Sequence, residues 1–165
     1  MLTDEELLLA VLNSAPVVDG EVMDDLEGVP GRILARSWGG GGTAGEIAQL
    51  SRARAALQAV VRGRGPAVVD ELTKIVEGAV STPRVTSEGV VWDLVTADDD
   101  RLAIAAVLAW SSVSGRFPGR LRACANSECN LFLVDHSRPG TAKWCSMATC
   151  GNRMKARAHA SRAKA

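Results

Sequence analysis

The chain has 165 residues, of which 47% are hydrophobic, and this composition argues against global disorder because it can form a buried core. Its formal net charge is zero, yet the charges are unevenly distributed. Residues 1–115 carry 9 basic and 17 acidic side chains, whereas residues 116–165 carry 10 basic and 2 acidic side chains. Such a basic segment suits an anionic partner, nucleic acid first, although attraction between the two halves is an alternative. The longest apolar run, residues 102–110, is too short to span a membrane.

The first third of the chain predicts short helices separated by turns. Residues 4–12 predict a helix whose first turn is acidic, which the helix dipole favours. Asp19 predicts an N-cap for a second helix over residues 20–26, and residues 33–38 predict the start of a third. The four glycines at 39–42 favour a flexible loop over a phosphate-binding loop, because no Lys followed by Ser or Thr accompanies them.

The middle of the chain predicts longer helices and one β-hairpin. Helices are expected over residues 44–62, 66–80 and 98–116. Thr43 and Glu46 predict a capping box for the first of these, and Pro66 suits the first turn of the second. The hairpin is expected from residues 83–86 and 90–95, which are rich in strand-forming residues. Phe117 begins a Phe-Pro-Gly break that predicts a boundary between an α-rich domain, residues 1–116, and a small domain, residues 117–165.

All four cysteines lie in this small domain and share a regular spacing. They are Cys124, Cys129, Cys145 and Cys150. Two C-x4-C pairs supply four soft ligands in two halves, which is typical of a tetrahedral zinc site. Two disulfides would suit a secreted protein, but the N-terminus lacks the pattern of an export signal, so we expect a cytoplasmic protein with reduced thiols. Iron is an alternative that nothing in the sequence favours. Four thiolates leave no open position, so we expect one structural Zn²⁺.

The segments around the cysteines predict the layout of a treble-clef-like zinc finger. Residues 120–124 predict a strand that enters a short knuckle, and residues 131–135 predict a second strand. Ser146 predicts an N-cap for a final helix with Cys150 in its first turn. The expected fold class is therefore α+β, mainly α, with a helical N-terminal domain carrying one hairpin and a small zinc finger behind it.

These residues resemble a known family. The segments CANSEC at 124–129, LFLVD at 131–135 and WCSMATCGNR at 144–153 are similar to the CGNR zinc-finger family, over residues 118–162. More loosely, LAVLNSAPVVDGEVM at 9–23 resembles the ABATE domain that usually precedes this finger. The family is described as stress-induced transcription regulators, so the resemblance implies DNA binding.

The final helix supplies the candidate DNA contacts. They are Arg153, Lys155, Arg157, Arg162 and Lys164. At 100° per residue these cations form two basic rows, which flank a narrow apolar stripe that we expect to pack on the finger's hairpin. The stripe consists of Met147, Met154, Ala158 and Ser161. Arg153 has an equally good structural interpretation as a partner of Asp135 or of a knuckle carbonyl, whereas Trp144 favours the hairpin core over base stacking.

The sequence predicts a regulator and not an enzyme, because it contains no convincing paired-carboxylate, nucleotide-binding or triad pattern. We expect the basic finger to bind duplex DNA and the N-terminal domain to sense a small-molecule effector or form a homodimer. No membrane partner is expected. The alternative is a module in which zinc stabilises a surface that binds a protein or a small ligand without DNA.

Overall fold

The computed structural model describes residues 3–163 and has a mainly α-helical α+β fold, as the sequence predicts. The helices are α1 (Asp4–Leu12), α2 (Gly28–Ser37), α3 (Ala44–Val61), α4 (Ala67–Val76), α5 (Arg101–Arg116) and α6 (Asn152–Ala163). The strands form three antiparallel pairs, β1 (Val17–Val18) with β2 (Glu21–Val22), β3 (Val80–Thr86) with β4 (Gly89–Val95), and β5 (Leu121–Ala123) with β6 (Phe132–Val134). Helical turns at Asp98–Asp100 and Met147–Gly151 precede α5 and α6. None of the helices in this described part is long and apolar enough to cross a membrane.

The core forms where α1 and α3 pack against α5. Each of these helices places apolar residues three or four positions apart, so one face of each becomes buried. Leu8 and Leu12 of α1, Leu50 and Leu57 of α3, and Ala106 of α5 are fully buried. Burial of a Leu side chain stabilises the fold by about 1.5–3 kcal/mol, so this cluster dominates the stability of the helical part.

Strand β6, which follows the expected domain boundary, continues the same core. Phe132 and Val134 are buried in the cluster that α1, α3 and α5 form. The side chain of Asn13, just after α1, accepts from the Phe132 amide at 2.7 Å and donates to the Phe132 carbonyl at 3.2 Å. Arg62 adds a guanidinium 4.5 Å from the centre of the Phe132 ring and donates to Asn130. The two parts of the chain are therefore packed together through shared apolar contacts. The domain boundary expected at Phe117 stays a prediction.

The helix predicted over residues 20–26 is wrong, because this segment forms the small β1–β2 hairpin. Asp19 and Gly20 occupy its turn with φ angles of 51° and 85°, the left-handed region that Asp and Gly tolerate. The next helix, α2, begins at Gly28 and not at residue 33. Pro30 fits there because the first turn of a helix has no internal acceptor for its amide groups.

The predicted β3–β4 hairpin is confirmed and is longer than expected. It takes in Val80, which the sequence assigned to the end of α4; that helix ends at Val76, and Gly78 turns the chain with a φ of 77°. Both strands are largely exposed, and Trp92 is 65% exposed. This hairpin therefore contributes little to the core.

An ion pair between a buried arginine and a half-buried aspartate fixes the segment between β2 and α2. Arg54 of α3 donates from Nη1 and Nη2 to the two carboxylate oxygens of Asp24, each at 2.7 Å, and also to the carbonyl of Ser14. The arginine is 9% exposed. These hydrogen bonds from Arg54 hold the pKa of Asp24 below its ordinary value.

The stability of the protein should therefore fall in acid partly through Asp24. With its folded-state pKa depressed, Asp24 stabilises the fold above the pKa of an unfolded Asp, about 3.9, and loses this contribution as the pH falls through the folded-state pKa. Asp24→Asn should lower the free energy of unfolding at about pH 7 and reduce its decline below about pH 4. Denaturant titrations of the wild type, Asp24→Asn and the exposed neighbour Asp25→Asn would measure this. An equal effect of the two variants would contradict it.

Candidate metal centre

The first half of the cysteine cluster is a knuckle that follows β5. The Cys124 amide donates to the Leu131 carbonyl at 2.8 Å, and the Cys129 amide donates to the Asn126 carbonyl at 2.9 Å, which closes the turn between the two ligands. Asn126 is 1% exposed. Its side chain accepts from the Glu128 amide and donates to Cys150 Sγ at 3.4 Å. Asn126 thus ties the knuckle to the second pair of cysteines.

The second half is the wide helical turn before α6. Ser146 caps this turn by accepting from the Ala148 amide at 3.2 Å, as predicted, and its carbonyl accepts from the Gly151 amide at 2.9 Å. The turn has the π-helical pattern, which is rare and frequent at functional sites. It places Cys150 in a buried position, two residues before α6 begins.

A side chain at Gly151 would require Met147 to move. A Cβ at this position would be 2.7 Å from Met147 Sδ and 3.2 Å from Trp144 Cδ1. The glycine therefore allows the helix start to approach the half-buried Trp144, which agrees with a structural role for this tryptophan.

The fold brings the four predicted ligands together. The Sγ atoms of Cys124, Cys129, Cys145 and Cys150 all lie within 4.8 Å of one another. Those of Cys129 and Cys145 are 3.7 Å apart, much longer than the S–S bond of about 2.05 Å in a disulfide. Zinc–sulfur bonds of about 2.3 Å in a tetrahedron require sulfur separations of about 3.8 Å. The cluster therefore fits one zinc ion, and these four residues could hold it.

The surroundings of the thiols favour a bound cation. Burial, followed by hydrogen bonding among the cysteines, raises the pKa of Cys145 well above its ordinary range, and burial also raises the pKa of Cys129. Backbone amides of Leu131 and Cys145 donate to Cys129 Sγ and Cys124 Sγ, each at 3.4 Å. Such N–H groups stabilise thiolates, but four thiolates so close together need a divalent cation to offset their charge. Zinc would supply that charge.

A second buried group supports the loop between the two halves. Asp135 is 2% exposed, and its Oδ1 accepts from the amide and hydroxyl of Ser137 while Oδ2 accepts from the Ala142 amide. The hydrogen bond from the Ser137 hydroxyl, reinforced by these amides, holds the pKa of Asp135 below its ordinary value. Arg120 and Arg122 lie 3.7 and 3.6 Å from Oδ2. The sequence does not predict this hydrogen-bond network. It does not predict the role of Asn126 either, because this residue appears there only as a polar residue between two ligands.

Helix α6 leaves the metal site with its side chains in solvent. Every residue of α6 is exposed except Met154, which is half-buried, and Met147 is 51% exposed. The expectation that an apolar stripe packs on the finger's hairpin is therefore wrong. The π-type turn at Met147–Gly151 breaks the regular helical phase between Met147 and α6, so these side chains do not form one continuous face.

The five candidate DNA contacts lie in different surroundings. Lys155 and Arg162 are exposed and form no ion pair with any residue between 3 and 163. Arg157 pairs with Glu128 at 2.5 Å on the surface, which is a weak interaction in solvent. Lys164 lies outside the described residues.

Arg153 is not the partner of Asp135. The Asp135 carboxylate lies beside Arg122 of β5 and Arg120, the residue before β5. Arg153 lines an open cleft of about 640 Å³ between the β1–β2 turn and the knuckle. The same cleft contains Asp19 and Glu128, and Arg153 helps to lower the pKa of Glu128 after the larger effect of Arg157. Its charge is therefore partly offset by nearby carboxylates.

Comparison with known proteins agrees with this geometry. Residues 120–163 match the CGNR zinc finger family. The match includes all four cysteines and the whole of α6, so this part of the chain is similar to that finger in sequence as well as in its cysteine cluster. No curated protein matches the chain.

Proposed function

We propose that this protein is a transcriptional regulator whose zinc finger binds duplex DNA. The segregation of charge supports this, because residues 116–165 hold ten basic side chains and only two acidic ones. Both acids are paired, Asp135 with Arg120 and Arg122, and Glu128 with Arg157. The basic side chains outnumber these two acids by eight, so an excess of positive charge is available to an external anion, and DNA is the polyanion that such a footprint fits best.

The observation that carries the proposal is the exposed basic helix α6. It has 12 residues, hence a length of about 18 Å, contains no acidic residue and buries none of its side chains. Because no side chain of α6 is buried, its surface is available to an external partner. The major groove of B-DNA, about 12 Å wide, admits an α-helix.

The two basic rows suit the two walls of such a groove. At 100° per residue, Arg153 and Arg157 lie about 40° apart on one flank of α6, and Lys155 and Arg162 lie about 20° apart on the other. The two flanks are about 180° apart, so cations face both sides of the helix. We infer that they contact phosphates on both strands, which orients the helix without reading sequence.

For the N-terminal part we propose an ABATE-like domain that senses an effector or mediates dimerisation, in a cytoplasmic protein without a catalytic role. Its packing on β6 through Phe132 and Val134 provides a physical connection from that domain to the finger. The regulatory and stress-response roles of the family would follow from this arrangement.

The exposed β3–β4 hairpin favours a second candidate, a zinc-stabilised interaction module. Pro83, Val85, Val90, Trp92 and Leu94 share one face of this hairpin, because residues directly opposite in the register lie on the same side. Val85 is 82% exposed. Exposed apolar patches of this kind mark protein-interaction sites. This function does not need α6 to bind DNA.

Arg162→Ala should weaken DNA binding by the zinc-loaded protein about three- to tenfold and reduce the salt slope by about one, because one phosphate contact is lost. The measurement is fluorescence anisotropy with a duplex of random sequence at several salt concentrations. The weakening should be similar across duplex sequences, since phosphates carry no base information.

Arg32→Ala is the matched control, because Arg32 is an exposed helical arginine that forms no ion pair among residues 3–163. It changes the net charge equally and should leave DNA affinity unchanged. If the wild-type protein, loaded with zinc, does not bind duplex DNA at low salt, the regulator proposal fails and the interaction module is favoured.

A further inference from the structure

A cleft of about 500 Å³ lies where the end of α5 meets the turn after β6, and no residue of α6 lines it. Three arginines line it, namely Arg116, Arg120 and Arg138. His136 and Asp135 also contribute to its walls. Three guanidinium groups around one open cavity form a donor set that suits an oxyanion.

Arg120 is held in place at this cleft. Its Nη1 donates to the carbonyl of Ser137 at 2.7 Å and to the carbonyl of Asp135 at 3.3 Å, which fixes the guanidinium against the turn. A guanidinium carries five N–H groups, and those on Nε and Nη2 have no acceptor among residues 3–163. The side chain is 31% exposed. Because the group is already ordered, little side-chain freedom is lost when it binds a ligand.

The carboxylate in the cleft offsets only part of the charge of the three arginines. The side chain of Asp135 has no exposed surface, and both of its oxygens accept hydrogen bonds from the turn that it supports. Arg120 and Arg122 both lie within 3.7 Å of Oδ2. Asp135 therefore interacts with groups inside the finger and does not neutralise the two outer arginines, Arg116 and Arg138.

The two outer arginines differ in their surroundings. Arg138 lies on the exposed turn after β6, and Arg116 ends α5; neither forms an ion pair within the part of the chain that the structure describes. Asp4 and Glu5 line an adjacent cavity that also includes Arg116, and Glu5 pairs with His136 at 2.7 Å. The potential is therefore most positive on the Arg138 side of the cleft.

We propose that this cleft binds a phosphate group of the DNA backbone and acts as a second anchor beside α6. The planar guanidinium fork matches a phosphate through two parallel hydrogen bonds. Four residues of chain lead from Arg120 to the ligand Cys124, a distance of at most about 14 Å, so one duplex can contact both the cleft and the helix that starts at the metal centre. This inference rests on the DNA-binding function proposed above.

The test uses the full zinc-loaded chain and a fluorescent 20-base-pair duplex. Arg138→Ala should weaken binding about three- to tenfold and reduce the salt slope by about one, whereas Arg116→Ala should have a smaller effect. Arg138 makes no hydrogen bond to residues 3–163, so its replacement should leave the fold and zinc content intact. Arg32→Ala again controls for net charge. In NMR spectra of the wild type, the ring signals of His136 should shift when the duplex is added.

The outcomes separate the two proposals. If the wild type binds DNA but Arg138→Ala behaves like Arg32→Ala and the His136 signals do not move, the cleft proposal is overturned and the role of α6 stands. If Arg162→Ala and Arg138→Ala each lower the affinity and the salt slope, both contacts are supported. Absence of any DNA binding by the wild type overturns both.

Discussion

Complete removal of zinc should unfold residues 120–163 and lower the stability of the helical part as well. Structural zinc contributes about 10–16 kcal/mol in zinc-finger peptides, which is as large as the whole net stability of a typical domain. Cys129 stands three residues before Phe132, which is buried in the core of the helices. Loss of the metal should therefore release the strand that completes this core. Metal analysis should first show about one zinc per chain.

The measurement is an NMR spectrum and a thermal unfolding curve before and after chelation. Signals of the finger should lose their dispersion, and the melting temperature of the helical part should decrease. Re-addition of zinc should restore both, whereas magnesium, which prefers oxygen ligands, should not. Well-dispersed finger signals in the fully chelated protein would show that zinc is not required for its structure.

The zinc ligands could be predicted because their signal is local in type and spacing. The two C-x4-C pairs contain all the thiol groups of the chain, and the structure places the four sulfur atoms together. The β3–β4 hairpin could be predicted for a similar reason, since strand-forming residues flank a short turn. A site or an element whose determinants lie within a few consecutive residues can be predicted without knowledge of the fold.

The misassigned segments carry signals that fit two structures equally well. Asp19 followed by Gly20 suits a helix N-cap, but the same pair suits the turn of a hairpin. Thr43 and Glu46 predict a capping box, yet only half of it forms. The Thr43 hydroxyl accepts from the Glu46 amide at 3.0 Å, whereas the Glu46 carboxylate accepts from Gly42 and is buried. Tertiary packing decides between such alternatives, and a single segment does not reveal it.

The contacts that join the finger to the helices could not be predicted because they are long-range. The pairing of Asn13 with Phe132 spans 119 residues, and that of Asn130 with the Ala15 carbonyl spans 115. An asparagine after a helix is a common helix-terminating residue, so nothing in the sequence marks Asn13 as a partner of β6. The same holds for Asp135, whose two arginines lie across the turn.

Phe132→Ala should destabilise the helical part and the finger together, by about 3–5 kcal/mol, because removal of a buried phenylalanine leaves a cavity. Phe132 is 2% exposed and packs in the shared core under the Arg62 guanidinium. The indole NMR signals report the two parts separately. Trp38 and Trp110 pack against the helical core, and Trp144 adjoins the ligand Cys145. All three signals should change in this variant and disappear together on heating.

Leu133→Ala is the matched control on the next residue of β6. Leu133 is buried, at 8% exposure, but does not belong to the shared core, because successive residues of a strand face opposite sides. It should shift the signal of Trp144 and leave those of Trp38 and Trp110 in place. If Phe132→Ala does not fold, Phe132→Leu provides a milder cavity with the same expected pattern. A Phe132 variant that alters Trp144 alone would show that the helical part is stable without β6, and that the finger folds as a separate unit.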